Sequence, residues 1–152
     1  MVGGGRMDTY ETFHDVLVNL FREIMDVEEK AIITDEFRDI TNNDMHVIEA
    51  IGQAAPRNMS AVARDLSVTV GTLTIAVNSL VKKGYVRRER SQKDRRVVLI
   101  SLTDRGDRAY LHHQNFHEEM IRATLEGLSE EETAVLVKAL SHLREFFRGY
   151  GK

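Results

Sequence analysis

MSAVARDLSVTVGTLTIAVNSLVKK, residues Met59 to Lys83, reads as two short helices joined by a tight turn. Ser60 is of a type that caps helices, so the first is expected over Ala61–Leu66. Thr69 caps the second, Val70–Lys83, and Gly84 follows where helices commonly end on a left-handed residue. Val62 and Leu66 lie four apart and share a face that packs against Leu73, Val77 and Leu80 of the second helix. The other face of that helix then looks outward with Val70, Gly71, Thr72, Thr74, Ile75 and Asn78. Small, uncharged, hydrogen-bonding and methyl-bearing groups suit insertion into a major groove, whose width admits a helix. Asn78 suits an adenine edge or a phosphate, the threonine hydroxyls suit base edges or phosphates, and Val70, Ile75 and the threonine methyls suit thymine methyls. A small helical hairpin with an undemanding surface fits the same stretch, so the neighbouring residues decide.

Immediately downstream, Tyr85–Arg90 and Arg96–Leu102 read as two strands around the polar turn Ser91–Arg95, a hairpin. In the second strand Val97, Leu99 and Ser101 fall on one face, and Val98, Ile100 and Leu102 on the other. Arg87, Arg88, Arg90, Lys93, Arg95 and Arg96 crowd this hairpin. Six cations on so few residues repel one another, and phosphates would neutralise them. Asp94 stands within the cluster, where it can orient a neighbouring guanidinium, and an arginine fixed at a loop tip suits a narrow minor groove.

The charge distribution supports a polyanionic partner. The whole chain carries a net charge of −3, yet Arg57 to Arg108 hold 12 Lys/Arg against 5 Asp/Glu, and the remainder holds 9 against 19. The positive charge, including Lys82 on the second helix, is concentrated in the central third. A solvated basic face is the alternative reading. The 152 residues include no cysteine, which excludes disulfides, thiolate chemistry and Cys-type zinc sites and fits a cytoplasmic location. No apolar run approaches the roughly 18–20 residues of a membrane span, so no membrane partner is expected.

The flanks are helical. Residues 1–7, with Gly3 to Gly5, read as a flexible leader or cloning remnant, and 8–152 as a single domain. Phe13, Leu17, Leu20, Phe21, Ile24 and Met25 make an apolar stripe on a helix of about 8–31. Thr41 with Asp44 starts a second helix, carrying Met45, Val47, Ile48 and Ile51 and stopping at Gly52. Thr103 caps a long helix through about Glu126. Ser129 with Glu132 forms a capping box for a last helix to about Arg148. The fold class is therefore mostly α with a small β-hairpin, a winged helix-turn-helix at about 42–102 between flanking helices at about 8–31 and 104–148. Apolar stripes of that length with little core to cover point to an oligomer interface.

With the hairpin in place the chain resembles the MarR family of bacterial transcriptional regulators. The resemblance rests on LSVTVGTLT (Leu66–Thr74), LVKKGYVRR (Leu80–Arg88) and above all DRRVVLISLTDRG (Asp94–Gly106), which fits a D-x-R, apolar strand, L-T-x-x-G pattern. It implies a homodimer joined through the first and last helices, a recognition helix in the major groove and a wing in the minor groove of a pseudo-palindromic operator. In D-x-R, Asp94 would orient Arg96, with Arg95 adding a phosphate contact. Phe37–Gly52, the recognition helix and HQNFHEEM (His113–Met120) are similar to the branch of the family that represses fatty acid synthesis genes. That branch uses long-chain acyl-acyl carrier protein as corepressor. The DNA-binding residues expected are thus Thr69, Val70, Gly71, Thr72, Thr74, Ile75, Asn78, Lys82, Arg87, Arg88, Arg90, Lys93, Asp94, Arg95 and Arg96.

The remaining candidates admit two readings each. Phe13, Leu17, Met45, Ile48, Phe116 and Met120 suit an acyl pocket, and equally plain core. His113 and His117, four apart on a helix, have metal-ligand spacing but also suit hydrogen bonds between helices, and no metal or other cofactor is expected. Repressors released by a small aromatic ligand, or gated by metal, are the alternative regulatory schemes. With no phosphate-binding glycine loop, an enzyme is not expected.

Overall fold

The computed structural model describes residues 4–34 and 36–150. The chain divides after Gln114 into two compact units. The first contains α1 (Gly4–Ile32), α2 (Asn42–Ile51), β1 (Arg57–Asn58), α3 (Met59–Asp65), α4 (Val70–Lys83), β2 (Val86–Arg90), β3 (Val98–Leu102) and the start of α5 (Asp104–Leu125). The second holds the rest of α5 and α6 (Glu130–Tyr150). Of the expected leader, residues 1–3 lie outside the described residues, and the backbone of 4–7 is the beginning of α1.

Local chemistry explains the element ends. Thr41 and Asp44 close a capping box on α2, with Asp44 N–H donating to Thr41 Oγ1 at 3.0 Å and Thr41 N–H to Asp44 Oδ2 at 3.1 Å. The cap of α3 is Asn58 rather than Ser60. Its Oδ1 accepts from Ala61 N–H at 2.8 Å, which starts the helix two residues earlier than expected. Between α3 and α4 the chain bends by 104°, within the range of helix-turn-helix units. Ser67 makes that turn at φ 56°, a left-handed conformation usually left to Gly or Asn, and Val68 N–H bonds back to Ala63 O at 3.0 Å. At the other end of α4, Gly84 adopts φ 87°, and Tyr85 N–H reaches Leu80 O at 2.9 Å. Tyr85 is thereby part of the helix ending and not of the strand, which begins at Val86.

The sheet has three antiparallel strands in the order β1-β3-β2. Sequence periodicity missed β1, whose two residues are too few to alternate. Arg57 pairs with Ile100, and Arg88 pairs with Ile100 from the other side. The second hairpin strand begins at Val98, not Arg96, because residues 94–97 close a turn in which Val97 N–H donates to Asp94 O at 3.0 Å. Ile100 and Leu102 face inward. They join Val62, Leu73, Val77, Leu80 and Tyr85 in a core that also takes Phe37, Met45, Ile48 and Ile51.

In the second unit, Ser129 and Glu132 form the expected capping box at 3.1 Å in both directions. α6 extends to Tyr150, past the expected end at Arg148. Among the described residues, none beyond His113 is buried. No single helix among them is long and apolar enough to cross a membrane.

Candidate nucleic-acid interface

α4 splits cleanly into two faces. Leu73, Val77 and Leu80 are at most 1% exposed, and each such burial contributes roughly 1.5–3 kcal/mol. Val70, Gly71, Thr72, Ile75, Asn78 and Lys82 are exposed and Thr74 half-buried. Ile75 stands 74% exposed among polar neighbours. Thr69 caps the helix by accepting from Thr72 N–H at 3.1 Å, and its hydroxyl also bonds that of Thr72 at 2.9 Å. Thr74 commits its hydroxyl proton to Val70 O at 2.8 Å. Asn78 Oδ1 accepts from Arg88 Nη1, which ties the helix to the hairpin.

The hairpin cations are not equivalent. Arg96 makes a two-pronged contact with Asp94, Nε to Oδ1 and Nη2 to Oδ2, both 3.1 Å, while its backbone N–H donates to Oδ1 at 3.0 Å. These bonds hold the Asp94 carboxyl below, and the Arg96 guanidinium above, their ordinary pKa ranges. The Arg96 side chain is nevertheless 91% exposed, so it is oriented without being covered. Arg90 braces the turn by donating to Arg95 O at 3.0 Å. Lys93 and Arg95 are exposed at the tip. Strand alternation separates the rest. Arg88 and Arg96 line one groove with Asn58, Ser60, Val70 and Thr74, whereas Arg87 lines a hollow elsewhere with Glu89 and Asp107. The six hairpin cations therefore do not share one surface.

Behind the interface, polar anchors fix the far end of α4. Lys83 Nζ lies 2.7 Å from Asp44 Oδ2, the same carboxylate that caps α2. Arg105 donates to Lys83 O at 2.7 Å and stacks over the Tyr85 ring at 4.4 Å. Thr103 donates to Gly84 O at 2.6 Å and accepts from Gly106 N–H at 3.2 Å. A Cβ on Gly106 would sit 2.1 Å from Tyr85 O, so only glycine lets α5 approach this closely. Tyr85, buried at the centre, donates to Asp39 Oδ1 at 2.6 Å. This hydrogen bond first, then the charges of Arg105 and Lys83, hold the Asp39 carboxyl below its usual range. Burial, and next the bond to Asp39, push the Tyr85 hydroxyl above the ordinary phenol range. Arg57 braces the unit from the other side, donating to Ala50 O at 2.6 Å and pairing with Asp65 at 2.8 Å. Sequence reading missed Arg57, Arg105 and the Asn78–Arg88 bond; the L-T-x-x-G spacing was the only signal for any of them.

The pocket candidates fall in both units. Met45 and Ile48 are packed in the core, Phe13 is exposed on α1 with Leu17 half-buried, and Phe116 and Met120 belong to the second unit. His113 is buried, with Nε2 2.9 Å from Glu49 and 3.6 Å from Glu28, and it links α5 to α2 and α1. His117 lies in the second unit.

The family model described as MarR family matches residues 38–97, which run from the approach to α2 through the wing turn. Over most of its length, the chain is similar to Streptococcus pneumoniae FabT, solved in complex with DNA. The two are 38% identical, with a TM-score of 0.81 and coverage of 92% of this chain and 98% of that one. An Escherichia coli MarR mutant complexed with operator DNA is 27% identical, with a TM-score of 0.56 over 84% and 92% of the two chains. The transcriptional repressor YetL of Bacillus subtilis is 26% identical over 144 residues, 91% of this chain and 86% of that one.

Proposed function

The chain belongs to the MarR family of DNA-binding transcriptional regulators, and from that premise we propose that it is a homodimeric repressor of fatty acid synthesis genes whose corepressor is acyl-acyl carrier protein. The observation that carries the reading is the likeness to FabT over most of the chain at 38% identity. The Phe37–Gly52 and His113–Met120 stretches support the same branch.

In this reading α4 enters the major groove with Thr69 to Thr72, Thr74, Ile75, Asn78 and Lys82. The wing carries Arg96, set by Asp94, into the adjacent minor groove, and Arg90, Lys93 and Arg95 meet phosphates. Arg87 is left out, because it lines the separate hollow with Glu89 and Asp107. A second copy covers the apolar faces of α1 and α6, where Phe13, Phe21, Leu140 and Phe147 stand open.

Gel shifts on a fatty acid synthesis promoter, with acylated and unacylated carrier protein, test the corepressor. The acylated form is expected to tighten binding, and equal affinity in both conditions refutes it. A small aromatic ligand that releases the DNA would favour the other regulatory scheme. Arg96→Ala is expected to weaken binding by about 1–3 kcal/mol, chiefly at A·T-rich flanks, and to flatten the salt dependence by about one unit of slope. Unchanged affinity at low and high salt would place the wing elsewhere.

A further inference from the structure

We propose that Arg88 is a positioning residue for Asn78, and that it sets Asn78 to read a hydrogen-bond acceptor on the DNA rather than an adenine edge. The proposal rests on α4 entering the major groove.

Arg88 stands on β2 and Asn78 on α4, ten residues apart, and Arg88 Nη1 donates to Asn78 Oδ1. A guanidinium has donors only, so it fixes which way the carboxamide lies. The oxygen turns to the hairpin, and the amide N–H2 becomes the group offered outward. Bidentate adenine recognition needs both ends of the carboxamide at once, the oxygen accepting from N6 and the nitrogen donating to N7. Here a charged donor on the hairpin takes one lone pair of the oxygen and turns it away from the base edge that the nitrogen faces. One turn back on the same helix, Thr74 has committed its hydroxyl proton to Val70 O, which leaves the Asn78 amide as the neutral donor beside it.

An outward N–H2 meets purine N7, guanine O6 or thymine O4. Ile75, three residues earlier and 74% exposed, puts methyl groups beside it. Thymine is the one base with an acceptor next to a methyl, and it is the base this pair favours.

The test is selection from a random duplex library by the full-length protein and by four variants. Wild type is expected to enrich one acceptor-bearing position in each half-site. Asn78→Ala and Arg88→Ala should both lose the preference at that same position, with affinity for the wild-type duplex falling about 5- to 100-fold. Arg88→Lys keeps a donor and should restore part of it. In Asn78→Asp, Arg88 holds one carboxylate oxygen and the outward group becomes an acceptor. The preference should then move to the amino-bearing edges of cytosine or adenine. Both residues are exposed, so all variants should melt with wild type. A uniform loss of affinity in Arg88→Ala with base preference intact would overturn the proposal, leaving Arg88 a phosphate contact. So would an unmoved preference in Asn78→Asp. Wild type that enriches nothing, and whose DNA affinity ignores salt, would instead remove the groove assignment beneath it.

Discussion

On α4, Leu73, Val77 and Leu80 are at most 1% exposed; on α6, Val135, Leu140 and Phe147 are 67%, 56% and 59% exposed. Both helices carry apolar residues at helical spacing, and both begin at a good cap. In α4 the apolar face is consumed by α3, β2 and the rest of its own unit, which leaves the polar face as the surface on offer. In α6 no residue is buried within its unit, so the apolar face is what is offered. Under the proposed function, the same periodicity serves DNA in one place and a second protein chain in the other. What distinguishes them is whether the chain supplies a partner.

The largest loss is expected at Gly106. Gly106→Val drives a side chain into Tyr85 O and should cost roughly 3–5 kcal/mol, read as a collapse of the urea midpoint. A variant as stable as wild type would mean that the junction of α5 with the winged unit is not as close as described. A matched pair sharpens the contrast next. Leu80→Ala should lose about 2–5 kcal/mol at every protein concentration, since it opens a cavity in the chain's own core. Leu140→Ala should act only through association, weakening the proposed dimer in sedimentation and making the unfolding midpoint more dependent on concentration. Equal, concentration-independent losses in both would erase the distinction.

Tyr85→Phe is the smallest step, about 1 kcal/mol at neutral pH, because Asp39 is open to water. The folded-state pKa of Asp39 is depressed, so its contribution is present above the ordinary carboxylate value of about 3.9 and is lost as pH falls through the lowered one. Wild type should therefore lose more stability than Tyr85→Phe between about pH 5 and pH 3. Parallel curves would detach Asp39 from Tyr85.

The recognition helix was legible to the residue, Val70 to Lys83, because its cap, its apolar spacing and Gly84 all agree. That Asp94 orients a neighbouring guanidinium was legible because the partners lie within one turn of chain, and the D-x-R of the family resemblance implied that the partner is Arg96. The bonds that hold these elements in place were not. Lys83–Asp44 spans 39 residues and Tyr85–Asp39 spans 46, and no local pattern links residues so far apart. Asn58 escaped notice as a cap because Ser60, two residues on, is an equally good cap type. Arg87 was grouped with Arg88 on composition, although strand alternation sends neighbours to opposite faces.

The anchoring of α4 is lopsided, and this makes it a lever. Its last turn is bolted by Asp44 through Lys83, by Arg105 through the Lys83 carbonyl and by Thr103 through Gly84. Its first turn is held by its own cap, Thr69, and by the burial of Leu73 in the core. Fourteen residues of helix span about 21 Å. Pivoting about the bolted end, a tilt of about 10° sweeps the tip through about 3–4 Å, close to the rise of one base pair, about 3.4 Å. In the proposed groove, a rigid tilt of that size would shift the tip by about one base-pair step.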